Sequence, residues 1–366
     1  MMIRIAKPSL GYEEEEAVKE TLKSGIIAQG PKVSEFENRL ADYCLKSKAV
    51  AVNSGTAALH TALHILGVGK GDEVITTPFT FIATANAVLM QHATPIFVDV
   101  QPDTFTINPE AIQASITKKT KAIITVDMYG HLCDYDEINK IAKENNIPVV
   151  EDACQAIGAT YKGLKAGAFG DIGCFSFYAT KNITSGEGGA LITKNDGYVK
   201  NAKQFRQHGM ADVGVYDYND IGYNYRMTDI SASILLEQLK KLDSFNAKRR
   251  EHAKIFSDQL DGVNGITTPI IKKNHTHAFH QYTIKVDGFK LSRDELFSHL
   301  RNKGVECAIY YPKPLHMCQS FRRFGYKEGD CKMAERLSNE VISLPVHQSL
   351  QPSDLQYIVD CIKSIK

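Results

Sequence analysis

From Ala49 to Glu151 the chain alternates short apolar runs with amphipathic segments, and no other feature restricts its fold as much. The apolar runs read as strands at Ala49 to Val52, Glu73 to Thr76, Pro95 to Val98, Ala122 to Val126 and Pro148 to Glu151. Helical spacing occupies AALHTALHIL after the first strand, then about Ala83 to Gln91, Pro109 to Ile116 and Tyr135 to Glu144. Strands that are apolar along their whole length are buried on both faces, which is the situation inside a mostly parallel sheet covered by helices. The expected fold class is therefore α/β: a three-layer α/β/α large domain over residues 1–248 and a smaller α+β domain over 249–366. The smaller part is read from strands at Tyr282 to Val286 and Val305 to Tyr310, mixed with helices at Arg293 to Lys303, Met333 to Ser338 and Ser353 to Ile365. A long helix beginning at Ile230 is expected to bridge the two.

Such sheets gather ligands at the carboxyl ends of their strands. Thr56, Phe81, Asp127, Asp152 and Lys181 all fall at or just past such ends, so one pocket could hold them. The first strand runs into Asn53-Ser54-Gly55-Thr56 and then a helix. A glycine there lets backbone N–H groups approach an anion, the helix N-terminus adds its positive dipole end, and Ser54 and Thr56 add hydroxyls. Taken alone, the same residues also suit plain helix capping. Later, the aromatic-rich run Gly173 to Phe177 reads as a buried strand that delivers Lys181 into a turn closed by Gly186, Gly188 and Gly189. A lysine is a useful nucleophile only where burial or a neighbouring charge lowers its pKa, or where it is stored as a Schiff base.

An anion-binding turn, a carboxylate at a strand end in Asp152 and a lysine after a later strand form the set that pyridoxal phosphate needs. The phosphate takes the helix N-terminus, the pyridine nitrogen takes the carboxylate, and the aldehyde takes the lysine. Phe81 can stack on one face of the ring, and the Gln155 amide can lie near the ring hydroxyl.

Composition argues against several other classes. A net charge of +1 gives no electrostatic reason to expect nucleic acid or an anionic membrane as partner. The N-terminal MMIRIAKPSLGYEEEEAVKE lacks the apolar core of a signal peptide, and no run approaches the length of a membrane span, so a cytoplasmic protein is expected. Eight cysteines are scattered without a C-x-x-C pair, which indicates neither a disulfide framework nor a zinc knuckle. GVGKGD follows a helix and lacks the G-x-G-x-x-G spacing, so it reads as a loop. HTHAFH, with His275, His277 and His280, has no acidic or cysteine ligand nearby, and no metal site is expected.

NSGTAAL, GDEVITTPFTFIATANAV, EDACQAIGA, GDIGCFSFYATKN, GEGGA and GYNYRMTDI occur in one order along the chain. In this the sequence resembles the DegT/StrS-type nucleotide-sugar aminotransferases, pyridoxal phosphate enzymes of the aspartate-aminotransferase fold class (fold type I). The resemblance implies Lys181 as the Schiff-base lysine, Asp152 at the pyridine nitrogen, and Phe81 and Gln155 at the ring. It implies that Ser54, Gly55, Thr56, Ala57 and Ser176 hold the phosphate, with Asn224 reaching the phosphate of a neighbouring subunit in a homodimer with shared sites. It further implies amino transfer from L-glutamate, which leaves as 2-oxoglutarate, to a nucleotide-linked 3- or 4-keto-sugar. The amino-deoxy sugar so made would serve a surface polysaccharide, a glycoprotein or an antibiotic. Tyr178, Glu187, Tyr310 and His316 are candidates to line the sugar. The stretches Gly25 to Val33, 216–225 and 310–316 are candidates for an extended nucleotide groove. Competing readings are a sugar dehydratase, an amino-acid lyase or transaminase on the same fold, and a non-catalytic regulator. The retained Lys181 favours transamination.

Overall fold

The computed structural model describes residues 2–44, 48–211 and 216–365. A 7-stranded sheet organises the larger part of the chain. Its strands lie side by side in the order Lys48–Val52, Gly189–Thr193, Ile172–Ser176, Val149–Asp152, Thr120–Val126, Glu73–Thr76 and Thr94–Phe97. Gly189–Thr193 runs antiparallel to both its neighbours, and the pairings across the rest of the sheet are parallel. That one reversal matters for the site. It brings Gly189 opposite both Val52 and Ser176, at the sheet end where Asp152 also terminates its strand.

Alternate residues along the strands feed two separate cores, as the pleat requires. Ala51, Ile75, Ile123 and Val149 pack with helices Pro31–Tyr43, Tyr135–Glu144 and the first half of Asp229–Leu260. Val50, Val52, Val74, Ala122, Ile124 and Val150 pack with helices Gly55–Ile65, Ala83–Met90 and Asp196–Arg206. The expected three layers are thus present, with a mostly parallel sheet between helices.

The helix Asp229–Leu260 runs unbroken for 32 residues. Its Ala253, Phe256 and Leu260 belong to a further apolar cluster with Tyr282, Ile284, Leu296, Leu300, Ile342 and Leu355. This cluster is built on a small antiparallel sheet, Ile266–Thr267, Tyr282–Val286 and Val341–Leu344, backed by helices Arg293–Asn302 and Pro352–Lys363. Ile3 joins it by pairing with Val305.

Two readings of the sequence are corrected. Residues 305–310 form no strand; they make only isolated bridges, Val305 to Ile3 and Ala308 to Ser343. The Tyr310 carbonyl accepts a hydrogen bond from the Tyr129 hydroxyl, a side chain, where a strand would have offered backbone. Helical spacing in the sequence also predicts an amphipathic helix from Ser34 to Tyr43, and this helix begins earlier, at Pro31. Asp229, almost two hundred residues on, accepts hydrogen bonds from the N–H groups of Gly30 at 2.7 Å, Val33 at 3.0 Å and Lys32 at 3.1 Å. A carboxylate at a helix N-terminus satisfies donors that lack partners within the helix.

Candidate active site

A cavity of about 750 Å³ opens at the carboxyl end of the sheet. Ser54, Gly55, Thr56, Phe81, Asp152, Gln155, Ser176, Tyr178, Lys181, Glu187 and Tyr310 all line it, so most of the sequence candidates meet in one place.

The floor is the N-terminus of helix Gly55–Ile65. Ser54 caps that helix, its Oγ accepting the Ala57 N–H at 3.1 Å. Gly55 is required there by close packing: a Cβ would lie 2.8 Å from Ser176 Cβ and 3.1 Å from Cys154 Sγ. At Gly189 a Cβ would lie 2.2 Å from the Ser54 carbonyl oxygen, so this glycine lets the antiparallel strand press against the same turn. An 11-residue helix whose first turn faces a cavity, with the Thr56 and Ser176 hydroxyls beside it, suits a phosphate.

Opposite the turn, Asp152 is 5% exposed. Its Oδ2 accepts from Thr84 Oγ1 at 2.8 Å, and its Oδ1 from the Cys154 N–H at 3.3 Å. Gln155 Oε1 accepts the Tyr129 N–H at 3.0 Å, which fixes the amide plane beside the cavity. Phe81, more than half exposed, leans toward Tyr311 with ring centroids 6.4 Å apart. Lys181 follows a tight turn in which its N–H donates to the Tyr178 carbonyl at 2.9 Å. Burial holds the Lys181 ammonium pKa below the ordinary lysine value, and the nearby Cys154 and Asp152 oppose that shift without cancelling it. The site therefore has a cradle for an anion, a fixed carboxylate, a flat wall and an amine biased toward its nucleophilic form.

Several candidates lie elsewhere. Asp127 does not reach the cavity: its Oδ1 accepts from the Tyr135 hydroxyl at 2.9 Å and the Cys133 N–H at 3.0 Å, beneath the site. His316 is fully buried and bonded through Nε2 to Glu335 at 2.8 Å, away from the lining, because the turn that carries it folds back onto helix Lys332–Glu340. Ala57 is buried and its N–H is occupied by Ser54, so it stands behind the turn. Asn224 lies on the surface, where its carbonyl accepts from Asn53 Nδ2 at 3.3 Å. The loop Gly25 to Val33 and residues 216–225 contribute nothing to the lining of a single chain. The tyrosine-rich segment VGVYDYNDIGYNYRMTD spans 213–229, and its first three residues lie outside the described residues.

Other lining residues escaped sequence reasoning. Thr80 and Thr84 sit at an ordinary-looking helix start, and His280 and Gln281 come from the C-terminal part of the chain, whereas Tyr311 falls within the groove candidate 310–316. HTHAFH carried a signal, but it read as an isolated histidine cluster. Among the described residues no group of three or more His, Cys, Asp or Glu is placed to hold a metal ion.

Residues 8–363 match the model of the DegT/DnrJ/EryC1/StrS aminotransferase family. The chain is 36% identical to the GDP-perosamine synthase of Caulobacter vibrioides over 366 residues, covering 99% of this chain and 98% of that protein. Among solved structures it resembles S. venezuelae DesV in complex with a ketimine intermediate, with a TM-score of 0.92 and 34% identity over 96% of this chain and 94% of that one. It also resembles Helicobacter pylori PseC, an aminotransferase involved in the biosynthesis of pseudoaminic acid, with a TM-score of 0.94 and 30% identity over 100% and 99% of the two chains. With that likeness spread over nearly its whole length, and with a cavity that fits pyridoxal phosphate, the chain belongs to the DegT/DnrJ/EryC1/StrS family of pyridoxal phosphate-dependent aminotransferases.

Proposed function

We propose that this enzyme moves an amino group from L-glutamate, which leaves as 2-oxoglutarate, to the 3- or 4-keto carbon of a nucleotide-linked sugar. The product would be an amino-deoxy sugar for a polysaccharide, a glycoprotein or an antibiotic. The observation that carries this reading is the cavity itself. Its 750 Å³ join the lysine turn to a wall of Phe81, Tyr178, Tyr310 and Tyr311, more apolar and aromatic surface than a small dicarboxylate needs. No arginine lines it among the described residues, so one chain by itself offers no bidentate guanidinium clamp for a carboxylate.

The residues divide the work. Gly55, Thr56 and Ser176 would hold the phosphate, Phe81 and Gln155 the ring, and Asp152 the proton on the pyridine nitrogen. When bound, pyridoxal phosphate supplies the aldehyde that carries the amino group and a ring that stabilises negative charge beside it. Lys181 Nζ, once free, takes the proton from the glutamate carbon that bears nitrogen and, in the return direction, delivers one to the sugar carbon. Tyr178, Glu187 and Tyr310 are placed to orient the sugar. The remote nucleotide supplies binding energy that positions the carbonyl.

Since residues 216–225 and the Gly25 to Val33 loop lie outside the lining of one chain, we infer a homodimer in which the partner's Asn224 completes the phosphate site. We place this enzyme in the cytoplasm and divide its chain at 248/249; no described helix is long and apolar enough to cross a membrane.

The test is the second half-reaction followed by stopped-flow absorbance. The amino-loaded enzyme should be returned by a UDP-, dTDP- or GDP-linked keto-sugar far faster than by a free keto-sugar. Rapid reaction with pyruvate or oxaloacetate, with every nucleotide sugar inert, would replace this reading with an amino-acid transaminase.

A further inference from the structure

Three residues of the long helix Asp229–Leu260 form a ridge beneath the lysine turn. Gln238, Leu242 and Asn246 recur every fourth residue and so share one face of that helix, and none is more than 1% exposed. The stretch that meets them is Asn182-Ile183-Thr184, directly after Lys181 and at most 3% exposed. Asn182 Nδ2 donates to Asn246 Oδ1 at 2.7 Å, and the Thr184 N–H donates to Gln238 Oε1 at 3.4 Å. Ile183 and Leu242, the middle residues of the two rows, belong to one apolar cluster. The lysine turn is thus clipped to the helix by an amide at each end.

Asn246 also holds a second segment of the site. Its Nδ2 donates to the Ile157 carbonyl at 2.9 Å, and Ile157 lies on the loop that leaves strand Val149–Asp152 and carries Gln155. That approach depends on a glycine: at Gly158, where φ is 81°, a Cβ would lie 2.4 Å from Asn246 Nδ2 and 2.9 Å from the Tyr43 hydroxyl oxygen. Asn182 adds a third segment, because the same Nδ2 donates to the Ala278 carbonyl at 2.8 Å, just before His280 and Gln281 enter the cavity wall. The lysine turn, the loop after Asp152 and the segment before His280 therefore meet on one pair of buried amides. Neither amide belongs to the lining itself.

We propose that Asn246 is a positioning residue for the reaction: bonded to Asn182 on one side and to Ile157 on the other, it fixes the spacing between Lys181 and the wall that carries Asp152 and Gln155. The inference rests on the assignment of Lys181 as the working amine. That amine ends a flexible four-carbon stem, so its reach is defined only as well as the turn beneath it is held. A misplacement of about 1 Å between reacting groups can cost about a hundredfold in rate. Asp152 and Gln155 have holders of their own in Thr84 and the Tyr129 N–H, whereas the turn at Asn182 relies on Asn246 and the Ala278 carbonyl. Loss of Asn246 should accordingly loosen the amine and leave the cradle for the cofactor in place.

The test separates holding the amine from holding the cofactor. Protein stripped of cofactor is mixed with pyridoxal phosphate, samples are quenched with borohydride at intervals, and the Lys181 peptide bearing the pyridoxyl group is quantified by mass spectrometry. In the step so timed, Nζ attacks the aldehyde carbon, a C=N bond forms and water leaves. In parallel the same protein is titrated with pyridoxine 5′-phosphate, which keeps the ring and the phosphate but has an alcohol where the aldehyde was. Asn246→Leu, similar in volume and without polar atoms, should slow condensation on Lys181 about tenfold or more at unchanged affinity for pyridoxine phosphate. Should Asn246→Leu not fold, as judged by near-UV circular dichroism, Asn246→Ala carries the same comparison, because a water in the vacated space can pair with the freed groups but cannot fix their spacing. Condensation at the wild-type rate in the variant, or a fall in pyridoxine phosphate affinity as large as the fall in rate, overturns the proposal. A pyridoxyl group on some other peptide of the wild type defeats the lysine assignment instead, so the two failures are distinct.

Discussion

Thr84 Oγ1 donates a 2.8 Å hydrogen bond to Asp152 Oδ2, tying the first turn of one helix to the carboxylate at the end of a strand 68 residues later. Thr80 Oγ1 in turn lies 3.0 Å from Thr84 Oγ1, and both threonines are almost wholly buried. The carboxylate is held before any cofactor arrives. Preorganised groups cost nothing to orient when the ligand binds, so the bond matters for cofactor affinity as well as stability.

Replacing Thr84 by Val keeps the shape and removes the donor. A buried charged acceptor that loses such a bond costs about 1.5–3 kcal/mol. Part of that should appear as roughly tenfold weaker binding of pyridoxal phosphate, since about 1.4 kcal/mol is a factor of ten. Fluorescence titration of the cofactor-free protein measures it. An unchanged affinity would show that Asp152 does not depend on Thr84 for its orientation.

Lys181 supplies the second prediction, in two readouts. Borohydride treatment of the holoenzyme should bleach its visible absorbance and leave the pyridoxyl group on the Lys181 peptide; a label on any other peptide ends the assignment. The pKa of the amine is held down in the fold by burial. The native state therefore resists a proton that the unfolded chain accepts freely, and the lysine costs stability at neutral pH. That cost disappears as the pH rises through the unfolded lysine value of about 10.4, where both states are neutral. Cofactor-free Lys181→Met should consequently melt higher than the wild type at pH 7, and the gap should close by about pH 10.5.

Much of this site was legible because the sheet topology collects strand ends. Once strands were read at 49–52, 148–151 and 173–177, Ser54, Gly55, Asp152 and Lys181 had to converge. What stayed hidden depends on long-range contact. The Asp229 cap on the Pro31 helix joins residues about two hundred positions apart, so the helix start could not be read from its own neighbours. His280 stood in a motif that looked self-contained, while Asn182 and Gly130, which bond the Ala278 backbone, and Arg249, which bonds the Phe279 and His280 carbonyls, are scattered through the chain. Asp127 was misplaced for the converse reason: it ends a strand as Asp152 does, but its carboxylate turns down to Tyr135 and Cys133.

That carboxylate gives the third prediction. Asp127 is wholly buried near Glu151, itself wholly buried and accepting N–H groups from Gly167, Phe169 at 2.9 Å and Gly170 at 3.3 Å. Burial first, and then the Glu151 charge, raise the Asp127 pKa well above the ordinary value. A raised carboxyl pKa costs stability above it and costs nothing below the unfolded value of about 3.9. Asp127→Asn should therefore be neutral or stabilising at pH 7, with the difference vanishing as the pH falls to about 4. Glu151→Gln leaves backbone donors poorly paired and should lose roughly 2–4 kcal/mol. Urea titrations of the two variants at pH 7 and pH 4 compare them directly. The assignment fails if Asp127→Asn is the more damaging change.

The last prediction concerns Asn224, which lies on the surface beside the phosphate turn of its own chain but outside the cavity lining. Its carbonyl is engaged by Asn53 Nδ2, while its side chain carries no hydrogen bond to the site. If the partner subunit's copy of this side chain completes the phosphate contact, Asn224→Ala should bind pyridoxal phosphate about tenfold more weakly, the loss of one hydrogen bond to a charged group. Lys181→Ala should be inactive by itself. A hybrid dimer of the two variants has one site with its own Lys181 intact and a neighbour that retains Asn224, and another site with both defects. Mixing the variants under conditions where subunit exchange is demonstrated by native mass spectrometry should therefore return activity to the level of that one intact site. If exchange is complete and activity stays at the sum of the two parents, each chain builds its phosphate site alone, and the shared-site dimer falls while the Lys181 chemistry stands.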